Sequence, residues 1–529
     1  MSQYQSVVCE LILEESFGEL VKEVGSYLLR NGGQKLKDLV KGLKKKKSDV
    51  IKSLIVLIQH SLVSCISHKS ATIYRMMTSN ILCRGMFPQY AVTGRELSGE
   101  IGEAIIEDFI LNGHSCMSEV ITRVVLKLSD TNQDIKELKL AEDVKNHFVN
   151  LVDMRLLQRV ALAPSKELGM TTPSHSLSPQ DKYVIPVELG ASDIVAACSA
   201  RKRGRASPDE GELPPSKKSK SDEQGKDPLP PDATVLWYID FQQFQCHYRD
   251  QAIVAGVNNR IDPIAAGVMK CLLSLSTQDV DPNSYPIVGP EIFLLRLKDT
   301  LPQYLSLTDT DLEQYLTVLT EDGFIEKVGE ASSGSYHINF KKCSEILCQS
   351  QLELVVRERF NDKHLRLFRL LCLKKRLEQK QISDMALIPN KKAKEILYSL
   401  LAENFITLQE VPRSNDYAPS RTFHLFSIEL NTTTRIVLQR CYKALGNLMT
   451  CRKEEGSKNK RLLEKYKLWL RQQEAFQNEE EPIEIEEALT PTEREMTENV
   501  MKKIAKLEAS ELQLMESLLT FEEYLKFVS

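Results

Sequence analysis

Residues 400–407 read Leu400-Leu401-Ala402-Glu403-Asn404-Phe405-Ile406-Thr407. A Leu is followed by four residues that close a helix, then by a large apolar residue, a second apolar residue and a polar one. The same order returns at Leu57/Leu62/Val63/Ser64, Leu151/Leu156/Leu157/Gln158 and Leu319/Phe324/Ile325/Glu326. Before each Leu the apolar residues step in threes and fours, the period of an amphipathic helix. After each turn the pattern is that of a short strand. A helix that stops and feeds a strand, four times over, predicts a mainly α protein with small β-hairpins, built as four tandem (extended) winged-helix domains. Such modules grip nucleic acid or protein and seldom catalyse.

Outward from these junctions, the first winged helix spans 1–80. Val8, Leu11, Ile12, Phe17, Leu20, Val21, Val24, Leu28 and Leu29 predict one helix closed by Asn31-Gly32-Gly33. Ser48 is placed to cap the third helix, and the wing turns around His68-Lys69-Ser70. The second spans 97–190, with Asn112-Gly113 closing its first helix and Tyr183-Val184-Ile185-Pro186 as the far strand of an interrupted wing. The third spans 232–342 and opens on a helix carrying Trp237, Tyr238, Phe241, Phe244 and Tyr248. Asp309 or Thr310 caps its third helix. The fourth spans 343–430, and Pro389 starts its third helix.

Two segments differ in composition. Between 191 and 231 Lys, Arg, Ser, Pro, Asp and Glu dominate. That segment is expected to be a disordered basic linker, having too little apolar surface to offset the entropy of ordering. From 431 to 529 strand signals vanish. Val500, Ile504, Leu507, Leu514, Leu518, Phe521, Leu525 and Val528 step as a heptad seam, interrupted at Glu511. An earlier arm runs from Ile436 to Leu470, and Glu479-Glu480-Glu481-Pro482 separates the two. A C-terminal antiparallel coiled-coil hairpin is the expectation.

The totals set limits. A chain of 529 residues is too long for one core. Its 69 basic and 73 acidic residues leave a net charge of -4, so only local clusters can argue for DNA. The 12 cysteines show no CxxC, and Cys343 and Cys348 have no His at ligand spacing, which favours buried free thiols in a reducing compartment over zinc. The stretch Met1–Glu10 has no basic region leading into an apolar core, so no signal peptide is expected, and the sequence shows no apolar run of membrane-spanning length. The protein is expected to be soluble and intracellular, with no cofactor, no metal and no membrane partner.

Catalytic motifs are absent: there is no Gly-rich phosphate loop, GxSxG or HExxH. Cys246 and His247 are adjacent on a helix and point apart. No catalytic residues are assigned, and an accessory role without its own active site is expected.

Local basic groups are more informative. Lys44-Lys45-Lys46-Lys47 precedes the third helix of the first domain, the helix that would enter a DNA groove. Lys374-Lys375-Arg376 and the group Lys391, Lys392 and Lys394 are candidates of the same kind in the fourth. These ten cations are the candidate phosphate contacts. The recognition helices themselves present Lys52, Ser53 and Gln59 in the first domain, and Asp309, Asp311, Glu313 and Gln314 in the third. Neither set reads base edges. DNA contact independent of sequence is therefore expected, with protein contact elsewhere. In the linker, Arg201, Lys202, Arg203 and Arg205 and then Lys217, Lys218 and Lys220 form a bipartite nuclear import signal, and the nucleus is the expected location.

Four strings go beyond patterning: Tyr248-Arg249-Asp250-Gln251-Ala252-Ile253-Val254, Asn259-Arg260, Ala418-Pro419-Ser420-Arg421-Thr422-Phe423 and Asn459-Lys460-Arg461-Leu462-Leu463-Glu464-Lys465. With the order of modules, linker and tail, the chain resembles the large winged-helix subunit of the RNA polymerase III-specific heterotrimer. The resemblance covers nearly the whole chain and is weakest over 163–231. It implies a non-catalytic subunit docked on the RNA polymerase III core and clamp with two smaller subunits of the same heterotrimer. It also implies contact with the initiation factor, help in promoter opening, single-stranded DNA binding and a role in cytosolic DNA sensing. The competing readings are a winged-helix scaffold of another large assembly, such as a proteasome-lid-like or translation-initiation complex, and a free-standing sequence-specific transcription factor.

Overall fold

The computed structural model describes residues 2–68, 71–131, 137–160, 181–186, 232, 235–279, 286–301, 307–328, 334–412, 422–477 and 490–528. The linker clusters at 201–220 and the acidic break at 479–482 lie outside these residues. Two compact units are present: Ile12–His247 form one, and Met1–Leu11 with Tyr248–Val280 and Tyr285–Ser529 form the other.

All four Leu-anchored junctions end their helices alike. The amide of Leu62 donates to Leu57 O at 2.9 Å, Leu156 to Leu151 O at 3.0 Å, Phe324 to Leu319 O at 3.0 Å and Phe405 to Leu400 O at 2.9 Å. The residue before each donor is left-handed: Ser61, Arg155, Gly323 and Asn404 have φ of 55°, 62°, 85° and 57°. A left-handed residue followed by a back-bonded amide is how a helix stops and reverses its chain. The Leu and the two apolar residues beyond the turn are buried in every copy. Burial therefore supplies the apolar spacing, and the turn supplies the gap.

Each junction belongs to a module of order helix, strand, two helices, then two strands. In the first, α2 (Glu19–Asn31), β1 (Gln34–Lys35), α3 (Leu36–Leu43) and α4 (Lys47–Gln59) lead into β2 (Val63–His68) and β3 (Ala71–Met76). The last strand lies centrally, paired antiparallel with both others, so the sheet order is β1-β3-β2. Ahead of it, α1 (Gln3–Phe17) is separated from α2 by Gly18 at φ 84°. The continuous helix expected from Val8 to Leu29 is thus two helices. Apolar periodicity runs on through a glycine that takes a conformation closed to most residues. Ser48 is also not the cap of α4: Lys46 occupies that position, and Ser48 lies inside the first turn.

The second module follows α5 (Thr78–Arg84). It uses α6 (Phe87–Asn112), broken at Ser98 and Gly99, then β4 (Ser115–Cys116), α7 (Met117–Thr131), α8 (Glu137–Asp153) and β5 (Leu157–Arg159). Its central strand is β6 (Leu236–Ile239), pairing Leu157 with Ile239 and Ser115 with Trp237. Here the sequence expectation needs correction. Trp237 and Tyr238 are strand residues of the second module and do not open a helix of the third. Helix spacing was an accident of aromatics that serve two elements: Trp237 meets Phe148 edge-on at 5.7 Å, while Phe241 and Phe244 sit beyond the break. Tyr183 to Pro186 is likewise not a wing strand. Asp181–Tyr183 is a 3-10 turn whose Tyr183 hydroxyl donates to Asp240 at 2.6 Å.

Asp240 then caps α9 (Phe241–Arg260), accepting from the amides of Gln242 and Gln243 at 2.9 and 3.3 Å. The third module follows with α10 (Pro263–Asp279), β7 (Ile292–Phe293), α11 (Leu294–Thr300), α12 (Asp309–Glu321), β8 (Ile325–Val328) and β9 (Ser335–Ile338). Its core gathers Val268, Leu272, Leu316, Phe324 and Ile338. Thr308 caps α12 in a capping box with Asp311, one residue earlier than Asp309. A connecting helix α13 (Phe340–Arg359) leads to the fourth module: α14 (Asp362–Lys374), β10 (Arg376–Glu378), α15 (Gln379–Ala386), α16 (Asn390–Ala402), β11 (Thr407–Pro412) and β12 (Thr422–Ser427). Both sheets repeat the first module's topology, β7-β9-β8 and β10-β12-β11.

The tail holds α17 (Leu430–Lys458), α18 (Lys460–Gln477) and α19 (Pro491–Val528). Tyr524 donates to Asn431 at 2.7 Å, Arg452 pairs with Glu511 at 2.9 Å and Lys465 with Glu493 at 3.0 Å. Partner numbers fall as the first arm rises, which makes the hairpin antiparallel. The seam differs from the heptad expectation. Met515, Leu518, Phe521 and Tyr524 are buried, whereas Leu514, Leu525 and Val528 are half-buried. The reason is a second neighbour: α19 packs on α13 as well as α17, so its buried stripe is wider than a two-helix seam. α1 lies against α17, with Val8 and Val7 3.7 and 3.8 Å from where a side chain on Gly446 would begin, which is ordinary packing distance.

Candidate nucleic-acid interface

In a winged helix the third helix is offered to a groove and its N-terminus to phosphates. In the first module Lys44 ends α3 in the left-handed region at φ 52°, Lys46 is the cap of α4 and Lys47 its first residue. All four lysines are exposed. Lys45 pairs with Glu23 at 2.8 Å, and the hydrogen bond to that carboxylate holds its pKa above the usual lysine value. Lysines at a helix start oppose the positive end of the helix dipole. Their placement does nothing for α4 and favours an anion there.

The fourth module has two groups, of which one repeats this arrangement and the other lies earlier, at the end of its first helix. Lys374 ends α14, Lys375 turns the chain at φ 66° and Arg376 opens β10. Lys391, Lys392 and Lys394 occupy the first turn and a half of α16. All six are exposed. The side-chain Nε2 of Gln379 donates to Asn390 Oδ1 at 3.1 Å, joining the start of α15 to the start of α16. The two groups, separate in sequence, thereby flank one helix-turn-helix. Lys375 stands where the first two modules have Gly32 and Gly113, both left-handed at φ 73°.

The recognition helices differ partly from their expected faces. Lys52 is exposed, but Ser53 is buried and donates to Asp49 O at 3.0 Å. Gln59 is engaged too: its side-chain Nε2 donates to Asn112 O at 3.2 Å and His114 O at 2.5 Å. In the third module Glu313 and Gln314 face solvent, Asp309 pairs with Lys298 at 2.9 Å and Asp311 is spent in the cap. The fourth module keeps Lys391, Lys392, Lys394 and Glu395 outward.

Several interior groups had no prominent signal in the sequence. Arg84 lies over the rings of Phe17 and Phe87 at 4.3 and 4.9 Å and beside His60 Nδ1 at 3.4 Å. Burial, aided by the Arg84 charge, lowers His60 to about 3. Asp232 accepts from both the amide and the hydroxyl of Ser118. Asp240 was findable, since an Asp just before a helical run is a cap signature. Cys343 and Cys348 are buried and serve different partners, Phe324 O and the Thr434 hydroxyl. Burial pushes both thiols up to about 12, which keeps them protonated and inert. No helix is long and apolar enough to cross a membrane among the described residues.

Four winged modules, an exposed cationic helix-turn-helix at each of two of them and a helical hairpin define a tandem winged-helix protein of the macromolecule-binding class. Known families match along its length. The RNA polymerase III subunit RPC82 helix-turn-helix domain matches residues 7–67 and RNA polymerase III subunit RPC82 matches 146–347. The POLR3C C-terminal winged-helix domain matches 352–428 and the RPC3 helical hairpin domain 461–520. DNA-directed RNA polymerase III subunit RPC3 of Bos taurus and of Homo sapiens are each 37% identical, over 99% of this chain and 99% of their own. That of Danio rerio is 33% identical over the same shares. The chain belongs to the RPC3 (RPC82) family of DNA-directed RNA polymerase III subunits.

Proposed function

We propose that the chain acts in the nucleus as a non-catalytic subunit of RNA polymerase III. In this reading it scaffolds a polymerase-specific subcomplex with two smaller subunits on the polymerase clamp, engages the initiation factor and aids promoter opening. The observation that carries the reading is the 37% identity to RPC3 subunits across 99% of both chains. The modules add a physical basis for guiding DNA. Cations at the helix starts of the first and fourth modules suit phosphates of any sequence, single strands included. The acidic face of α12 suits protein.

The experiment is affinity purification of the tagged full-length chain from nuclear extract. Polymerase III core subunits with two smaller partners are the expected recovery. Recovery of the chain alone, or its steady co-sedimentation with polysomes, would overturn the proposal.

A further inference from the structure

The fourth module spends stability on exposed apolar side chains. Leu387 is 86% exposed and Leu373 78%, while Met385 and Tyr398 are about half exposed. Leu387 also closes α15 in the left-handed region, at φ 54° and ψ 42°. That backbone is strained for a bulky residue, and Gly or Asn would relieve it. The same turn in the first module is made by Lys44 at φ 52°. A leucine there is doubly unfavourable for the free chain, through its backbone and through its contact with water.

Each leucine precedes cations. Leu373 is followed by Lys374, Lys375 and Arg376, and Leu387 by Lys391 and Lys392 beyond the Ile388-Pro389 turn. The eight-residue α15 is about 12 Å long; Leu373 and its cations precede its start, the Gln379–Asn390 hydrogen bond draws Asn390, next to Lys391 and Lys392, to that same start, and Leu387 closes its far end. Hydrogen bonds hold both ends: Gln379 to Asn390 at 3.1 Å and Arg366 to Ala386 O at 3.4 Å.

We infer that this face of the fourth module docks an acidic polypeptide segment bearing apolar side chains, contributed by another protein chain. Charge complementarity selects acidic residues, and the two leucines select apolar ones. Nucleic acid satisfies only the cations. Bases stack on aromatic and guanidinium planes, which Tyr398 and Arg376 can offer, but Leu373 and Leu387 are neither, and aliphatic anchors gain by burying against apolar groups. Among the described residues of the patch, the exposed aromatic Tyr398 already has Lys394 over its ring at 5.8 Å. The inference goes beyond the DNA contact proposed for the same cations, because the leucines separate the two occupants.

Fluorescence anisotropy on the full-length chain tests it with three labelled probes: a synthetic peptide of alternating Glu and Leu, polyglutamate and oligo-dT. The discriminating variant is Leu373→Gln with Leu387→Asn, which leaves every cation and suits the left-handed turn. Its affinity for the Glu/Leu peptide should fall about tenfold or more, with oligo-dT binding unchanged. Polyglutamate should bind the wild type far more weakly than the Glu/Leu peptide. A second variant, Lys391→Glu with Lys392→Glu, keeps both leucines and should also lose the peptide. The inference is overturned if the wild type does not bind the Glu/Leu peptide or if either variant binds it as the wild type does. It is equally overturned if the leucine variant loses oligo-dT alone.

Discussion

Asp232 and Ser118 are separated by 114 residues, yet Asp232 accepts from the Ser118 amide at 2.8 Å and from its hydroxyl at 2.6 Å. Ser118 is the second residue of α7, where amides have no partner within the helix. A carboxylate beyond the linker thus caps a helix before it, and a negative charge suits that helix end. Asp232→Ala should destabilise the second module by about 1–3 kcal/mol, the cost of leaving a buried donor unmet. Asp232→Asn, which keeps one acceptor, should be milder. Denaturant unfolding followed by tryptophan fluorescence reads the difference. An unchanged midpoint for the alanine variant would show that the cap carries no stability.

Gly113 is a second point of closure. Its φ is 73°, and an added Cβ would lie 2.4 Å from Gln59 O, a backbone atom. Conformation and space both demand glycine. Gly113→Ala should cost about 2–4 kcal/mol, combining left-handed strain with overpacking. It should also weaken the docking of α4, because the His114 amide donates to Gln59 O at 2.9 Å. Hydrogen exchange should report faster opening at His114. Protection equal to the wild type would refute the coupling.

The junctions were legible because a left-handed turn inserts a fixed number of residues between two buried groups, and burial leaves a pattern in apolar spacing. Leu400 and Phe405 show this plainly. The strand at Leu236–Ile239 was not legible, because its partners lie far earlier in the chain and local aromatics mimic a helix. Ser53 and Gln59 were misjudged for a related reason: a polar residue on a helix says nothing about the backbone oxygens waiting for it. The ten candidate cations were visible as runs. The grouping of the six fourth-module cations around α15 and the exposure of Leu373 and Leu387 needed coordinates.

Acid should weaken the Ile12–His247 unit. Burial lowers His114 to about 4, and burial first, then the Arg84 charge, lowers His60 to about 3. Unfolded, both titrate near 6.5, so above that pH neither alters stability. Below it the unfolded chain takes up protons that the folded one refuses, and stability falls until pH passes about 4 and then 3. The loss is about 1.4 kcal/mol per unit per histidine, or roughly 2 kcal/mol for each at pH 5. Urea midpoints at pH 7 and pH 5 should differ accordingly. His60→Phe, which retains the ring beside Phe17, should flatten the slope by its share. A slope identical to the wild type would place the acid sensitivity elsewhere.

In the tail, Leu518 is buried and Leu514 only half-buried. A charge at Leu518 has no water to turn to, while one at Leu514 reaches solvent. Leu518→Asp should therefore cost several kcal/mol, about 3–5, and Leu514→Asp clearly less. Thermal melts of the full-length variants decide the order. A larger effect at Leu514 would restore the two-helix heptad seam.

The last prediction concerns salt. A chain that holds nucleic acid through phosphates releases counterions, and for single strands the logarithm of affinity falls with that of salt by about 0.7 for each phosphate neutralised. Serine at Lys374, Lys375, Arg376, Lys391, Lys392 and Lys394 together should weaken oligonucleotide binding equally across sequences. The salt slope should become shallower by about 0.7 for every phosphate that these side chains no longer hold. Serine at Lys44, Lys46 and Lys47 should act in the same way. Lys45→Ser should matter less, since Lys45 already spends its charge on Glu23 at 2.8 Å. Titrations of the full-length protein at several salt concentrations supply the slopes. If the slope survives both sets of substitutions, the phosphates are held elsewhere on the chain. If affinity falls for one sequence and not for another, contact independent of sequence is the wrong description of this surface.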